Sequence, residues 1–193
     1  MPAEGGLGGR YADSRAHALR ERYCAVFGGD EVPVPVEAIA EDLLGLRVEV
    51  VPGLGCSGML IPAERRILLD AAEATHGETP IRRHRFTIAH ELGHWICHCL
   101  EGHAAAMEPS YCRPVDLTEA TDRALEREAN VFAAELLMPE EAVRSAWGEL
   151  VAQSHKAANE AIAACARRFD VSPTAMQWRL YAFGLTDPVM PHG

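Results

Sequence analysis

Apolar residues recur at helical spacing from Ser14 through Phe27, with Leu19, Tyr23, Val26 and Phe27 as one stripe, and Gly28 and Gly29 end it. The glycine-rich residues 1–13 before it are expected to be disordered. Pro35 opens a short second helix with Ile39, Leu43 and Leu44 inward and Gly45 as its cap. The pattern then changes to alternation. LRVEVV (46–51), CSGMLI (56–61) and RRILLDA (65–71) read as strands separated by proline, glycine and charge, which predicts a small three-stranded antiparallel sheet. Helical spacing returns from roughly Pro80 to Leu100, and again from about Thr118 to Met138, where Pro139 stops it. Residues 101–117 have no clear period and read as loop. Two or three helices complete the chain, with breaks expected near Gly148 and at Val171-Ser172-Pro173. The pattern gives an α+β fold, mostly helical, with the small sheet ahead of the helix at 80–100.

Composition narrows the class. The chain has 193 residues, 48% hydrophobic and 24% charged, enough for one ordinary globular domain with a small appendage. We divide it into a domain over 14–150 and a helical segment over 151–193 packed on its core. A formal net charge of −10 argues against non-specific binding to nucleic acid or anionic membrane, because no overall positive field attracts phosphate. The start, MPAEGGLGGRYADSR, is not a secretory signal, and the expected compartment is the cytoplasm. Cysteines at 24, 56, 97, 99, 112 and 165 are irregularly spread and are expected to be thiols, with Cys24 and Cys165 as small core residues.

One motif is set aside. GLGCSG at 53–58 matches G-x-G-x-x-G formally, and Asp70 lies at a suitable distance downstream. A dinucleotide site needs the last glycine to open a helix. Here MLIPAERRILLD follows, with Pro62 and a strand pattern, so the glycines read as a connection between strands.

Chemistry concentrates in HRFTIAHELGHWICHC (84–99), with four histidines and two cysteines. His90 and His94 are four apart, so on a helix they share a face about 6 Å apart along the axis. Two imidazoles so placed converge on one zinc ion at about 2.0–2.1 Å. Glu91 lies about 100° round the helix, beside the ion rather than on it, where it can take the proton of an attacking water. This is the H-E-x-x-H zincin motif. The uncharged flanks Thr87, Ile88, Ala89, Leu92, Gly93, Trp95 and Ile96 fit a helix buried beside a metal. His98 is about 12 Å from His90 along a straight axis, which keeps it off the same ion. His84 is excluded by the same reasoning. A competing set, Cys97, Cys99, His103 and Cys112, would make a structural zinc site, but Cys97 and Cys99 point to different faces of a helix.

A catalytic zinc needs a third protein ligand. The metzincin spacing requires glycine at 97 and histidine at 100, where this chain has Cys97 and Leu100. The helix at 118–138 offers carboxylates instead. Its apolar stripe is Leu125, Ala129, Phe132, Ala133, Leu136 and Leu137, and Glu126 falls inside it between Ala133 and Leu137. Glu128 and Glu135 fall together at the opposite edge, beyond Phe132. A lone carboxylate in an apolar stripe is costly unless something such as a metal partners it. Asn130, one turn on, is placed to hydrogen-bond a ligand.

RFTIAHELGHWICH followed by LEREANVFAAELLMP resembles the ImmA/IrrE family of zinc metallopeptidases, over roughly residues 30 to 185. The family pattern puts its third ligand four residues before the asparagine, at Glu126 here. The resemblance implies a gluzincin-like, zincin-like domain holding one zinc ion in the cytoplasm. It also implies a regulatory protease that cleaves helix-turn-helix (XRE-like) repressors of mobile elements or stress responses. The tail AACARRFDVSPTAMQWRLYAFGL looks like a helix-turn-helix, but Arg167, Arg168 and Arg179 nearly balance Glu160 and Asp170, which is poor for grasping DNA. The expected partner is a protein substrate, with no membrane and no direct DNA contact. Tyr111, His98 and His103 are candidates to stabilise the oxyanion. Gly58 is a candidate for close substrate approach if an extended peptide adds to the strand at 58–61. The alternative function is a metal-dependent sensor or transcription regulator without proteolysis.

Overall fold

Two early glycines, Gly8 and Gly9, do not stop the first helix. In a computed structural model, which describes residues 7–29, 32–74, 80–99, 110–111, 120–153 and 158–187, helix α1 spans Leu7–Phe27. The expected disorder of 1–13 is therefore corrected from residue 7 onward, while 1–6 lie outside the described residues. Ala12, Ala16 and Leu19 are buried, whereas Val26 and Phe27 are 61% and 49% exposed. The stripe thus ends sooner than its spacing suggested, and α1 packs against α4 (Ala120–Leu137).

The sheet is mixed, which corrects the antiparallel expectation. Strands β1 (Arg47–Val51), β2 (Gly58–Ile61), β3 (Arg66–Asp70) and β4 (Ser110–Tyr111) lie in the order β1-β3-β2-β4. β2 and β3 form a hairpin closed by the turn Pro62–Glu64 and by Arg65 at φ 53°. That hairpin inserts β3 between β1 and β2, so β1 meets β3 in parallel, Arg47 opposite Arg66. The loop between β1 and β2 is GLGCSG territory. Gly53 and Gly55 take φ of 70° and 75°, open to glycine at little cost. Asp70 clamps this loop: its carboxylate accepts from the Gly55 amide at 3.2 Å and the Ala72 amide at 2.8 Å. The glycines serve a strand connection, as read from the sequence.

β4 falls inside the stretch expected to be loop. It pairs Tyr111 with Met59 and Ser110 with Leu60, occupying the outer edge of β2. An extended peptide adding to β2 would meet β4 at Met59 and Leu60.

α2 (Val36–Ala38) continues as a wide π turn over Ile39–Leu43. The Arg65 guanidinium donates to the carbonyls of Leu44 and Gly45 at its end and lies over the Trp95 ring. α3 (Pro80–His94) likewise widens into a π turn over Trp95–Cys99. It packs against β2 and β3 and against α4, and every residue from Thr87 to Cys99 is buried. This burial is why the motif's flanks carry no charge.

The chain divides into two compact units, Met1–Leu137 and Met138–Gly193, so the division lies before the boundary we expected at 150. The second unit holds α5 (Glu140–Gln153), α6 (Ala158–Phe169) and α7 (Pro173–Ala182). α5 runs unbroken through Gly148, where a break was expected. α6 and α7 join at Asp170–Ser172, where the Ser172 hydroxyl accepts from the Ala175 amide at 3.1 Å and Pro173 begins α7. Among the described residues no helix is long and apolar enough to cross a membrane.

Candidate metal centre

Gly93, inside the H-E-x-x-H stretch, sets the distance between α3 and α4. A methyl group there would lie 3.0 Å from the Ala129 Cα and 3.2 Å from the Phe132 Cβ, so a larger residue would push the helices apart by a few tenths of an ångström. Ala129 is three residues after Glu126. The crossing therefore delivers the Glu126 carboxylate to the histidines on α3.

Three side chains meet there. His90 Nε2 and His94 Nε2 are 3.1 Å apart; Glu126 Oε2 is 3.2 Å from the first and Glu126 Oε1 3.0 Å from the second. Atoms about 2.0–2.1 Å from a tetrahedrally held ion lie about 3.3 Å from one another. His90, His94 and Glu126 can hold a metal, one donor atom from each lying within 4.8 Å of the other two. The chemistry of the donor set agrees, two imidazoles and a carboxylate being a common catalytic combination.

The second nitrogens of the imidazoles are also placed. His90 Nδ1 donates to Asn130 Oδ1 at 3.2 Å, which turns Nε2 towards the ion position, ready to ligate once its proton is lost. His94 Nδ1 is 3.1 Å from His98 Nδ1, and His98 Nε2 is 3.2 Å from Glu128 Oε2. His98 is thus off the ion, as its position suggested, but it is no oxyanion donor either: both its ring nitrogens are engaged. The sequence reading missed Glu128. Its wheel position, at the far margin of the stripe that carries Glu126, was the available signal, since the two margins flank the same helix contact.

Glu91 is fully buried. It faces the start of β2, where a Cβ added at Gly58 would lie 3.4 Å from Glu91 Oε1 and only 2.2 Å from Thr87 Cγ2. Gly58 accordingly admits α3 beside β2. Tyr111 enters through its backbone in β4; its side chain, His103 and Cys112 lie outside the described residues. Cys24, Cys56, Cys97, Cys99 and Cys165 stand as thiols. Burial pushes Cys97 up to about 12 and Cys99 up to about 11, so neither offers thiolate readily at neutral pH. His84 lies two turns from the cluster, with Nε2 3.4 Å from the Asp70 carbonyl.

Electrostatics bind the metal-free cluster together. Burial opposes a charge on His90, but its bond to Glu126, the charges of Glu91 and Glu126 and the bond to Asn130 outweigh it, so its pKa is raised. Burial also opposes the Glu126 charge, but both imidazoles outweigh it and its pKa falls well below the usual carboxylate range. The His90 contribution to stability is present below its unfolded pKa and is lost as pH rises through the raised value. The Glu126 contribution is present above its unfolded pKa and is lost as pH falls through the depressed value. A metal must displace the His90 proton. At a fixed zinc concentration, the rise in Tm that zinc produces should therefore shrink as pH falls through the raised His90 value, as thermal scans with and without zinc would show.

The family described as the IrrE N-terminal-like domain, a peptidase family, matches residues 76–181, more than half of the chain. The chain belongs to the IrrE-like peptidase family. No curated protein matches it. The IrrE-like match runs from just before α3 into α7 and contains the three candidate ligands with Glu91 and Asn130. It leaves out α1 and strands β1 to β3.

Proposed function

We propose that this chain is a zinc-dependent endopeptidase with a gluzincin-like domain that cuts an XRE-like helix-turn-helix repressor in the cytoplasm. The observation that carries this reading is the convergence of His90, His94 and Glu126 to within 3.0–3.2 Å of one another with Glu91 buried next to them. Zinc bound there supplies a Lewis acid that acidifies a water and polarises the scissile carbonyl. Asn130 holds His90 in the ligating orientation. Glu91 takes the proton of the attacking water and passes it to the leaving amine. Its place between α3 and β2 fixes the carboxylate, so little reorganisation is needed at the moment of reaction. Tyr111 and His103 stay the candidates for stabilising the oxyanion.

DNA contact is not part of this reading. Arg168 is held by Glu149 at 2.6 Å, and Arg179 Nε donates to the Met138 carbonyl at 2.9 Å. The test is to incubate the zinc-loaded protein with the helix-turn-helix repressor encoded beside it and to read the products by mass spectrometry. One discrete internal cut is expected. A repressor that is bound yet stays intact favours the non-proteolytic regulator.

A further inference from the structure

His98 and Glu128 lie outside the three-ligand set, yet both reach it. His98 is 7% exposed, on the π turn that extends α3, and Glu128 projects from α4. His98 lies one turn beyond His94 on the same side of the helix. The result is an unbroken chain: Glu128 Oε2 to His98 Nε2 at 3.2 Å, then His98 Nδ1 to His94 Nδ1 at 3.1 Å, then His94 Nε2 at the metal position.

The hydrogens in this chain have two possible orders. In one, His94 carries its hydrogen on Nδ1 and donates to His98 Nδ1; His98 then carries hydrogen on Nε2 and donates to Glu128. His94 Nε2 is left bare, as a metal requires. In the other order, His98 Nδ1 donates to His94, and the lone pair of His98 Nε2 faces the Glu128 carboxylate. Two acceptors 3.2 Å apart with no hydrogen between them repel. Glu128 thus selects the first order.

Resting on the metal-centre reading above, we propose that His98 and Glu128 are positioning residues that fix the tautomer of His94 for metal binding. Neither touches the ion or the substrate. Outer partners of this kind typically change metal affinity by about 10–100-fold.

The test uses the full chain and zinc alone, in competition with a chromogenic chelator. Glu128→Leu and His98→Phe should each weaken zinc binding by about 10–100-fold, while Glu128→Gln, whose amide oxygen still accepts from His98, should recover most of the loss. The double variant Glu128→Leu/His98→Phe should bind no worse than His98→Phe, because Glu128 acts only through His98. A purely packing role would give additive losses, track the unfolding temperature of the metal-free variants and show no rescue by glutamine. Unchanged zinc affinity in Glu128→Leu and His98→Phe, or additive losses without rescue, overturns the proposal alone. Failure of the wild type to bind zinc overturns the metal-centre reading and this proposal with it.

Discussion

Glu126→Ala is expected to abolish tight zinc binding. The glutamate is the one carboxylate among the three convergent ligands, and the two imidazoles already hold it ionised. Its removal leaves two neutral donors where a catalytic zinc needs three. The expected loss of affinity exceeds the roughly 10–100-fold typical of outer partners. It is measured by chelator competition, and by metal content after dialysis. Glu64→Ala, whose carboxylate pairs with Arg66 at the surface, is the control and should bind zinc as the wild type does. The metal-free protein should also lose the His90–Glu126 ion pair, so its unfolding temperature becomes less sensitive to pH in the range where that pair exists.

Glu91→Gln has the complementary effect. Glutamine has nearly the same shape and keeps the packing against Thr87 and Gly58, so zinc content should equal that of the wild type. Glutamine cannot accept the water's proton, and cleavage should fall by about 10²–10⁴-fold, the usual contribution of a general base. Timed digests analysed by mass spectrometry read this directly. Full cleavage activity in the variant would remove Glu91 from the mechanism. Together the two substitutions separate holding the metal from using it.

Much of this site is legible in one sequence because it follows from helix geometry. The four-residue step from His90 to His94 fixes a shared face. Glu126 stands out because an apolar stripe does not carry an unpartnered carboxylate. The remainder depends on contacts that a single helical wheel omits. Glu128 sits at the other margin of the stripe and gains a role only when α4 lies against the π turn at Trp95–Cys99. That turn cannot be read from apolar spacing, since an added residue per turn leaves a uniformly buried segment looking the same. Gly93 was one uncharged flank among several until α4 was seen to pass 3.0 Å from where its side chain would be.

The sheet shows the same limit. Alternation locates β1, β2 and β3, but pairing order is decided by the β2–β3 hairpin and by the Asp70 clamp on the preceding loop. Those interactions put β3 beside β1 in parallel. Two-residue β4 is too short to leave a period at all. α1 begins seven residues before its expected start because burial of Ala12 and Ala16 outweighs the poor propensity of its first glycines.

The most direct measurement is the zinc K-edge X-ray absorption spectrum of the zinc-loaded protein. A first shell of nitrogen and oxygen at about 2.0–2.1 Å, with the imidazole scattering of two histidines and no sulfur, is the result expected of a centre built by His90, His94 and Glu126. Sulfur scattering at about 2.3 Å would contradict it, moving the ion to the cysteines.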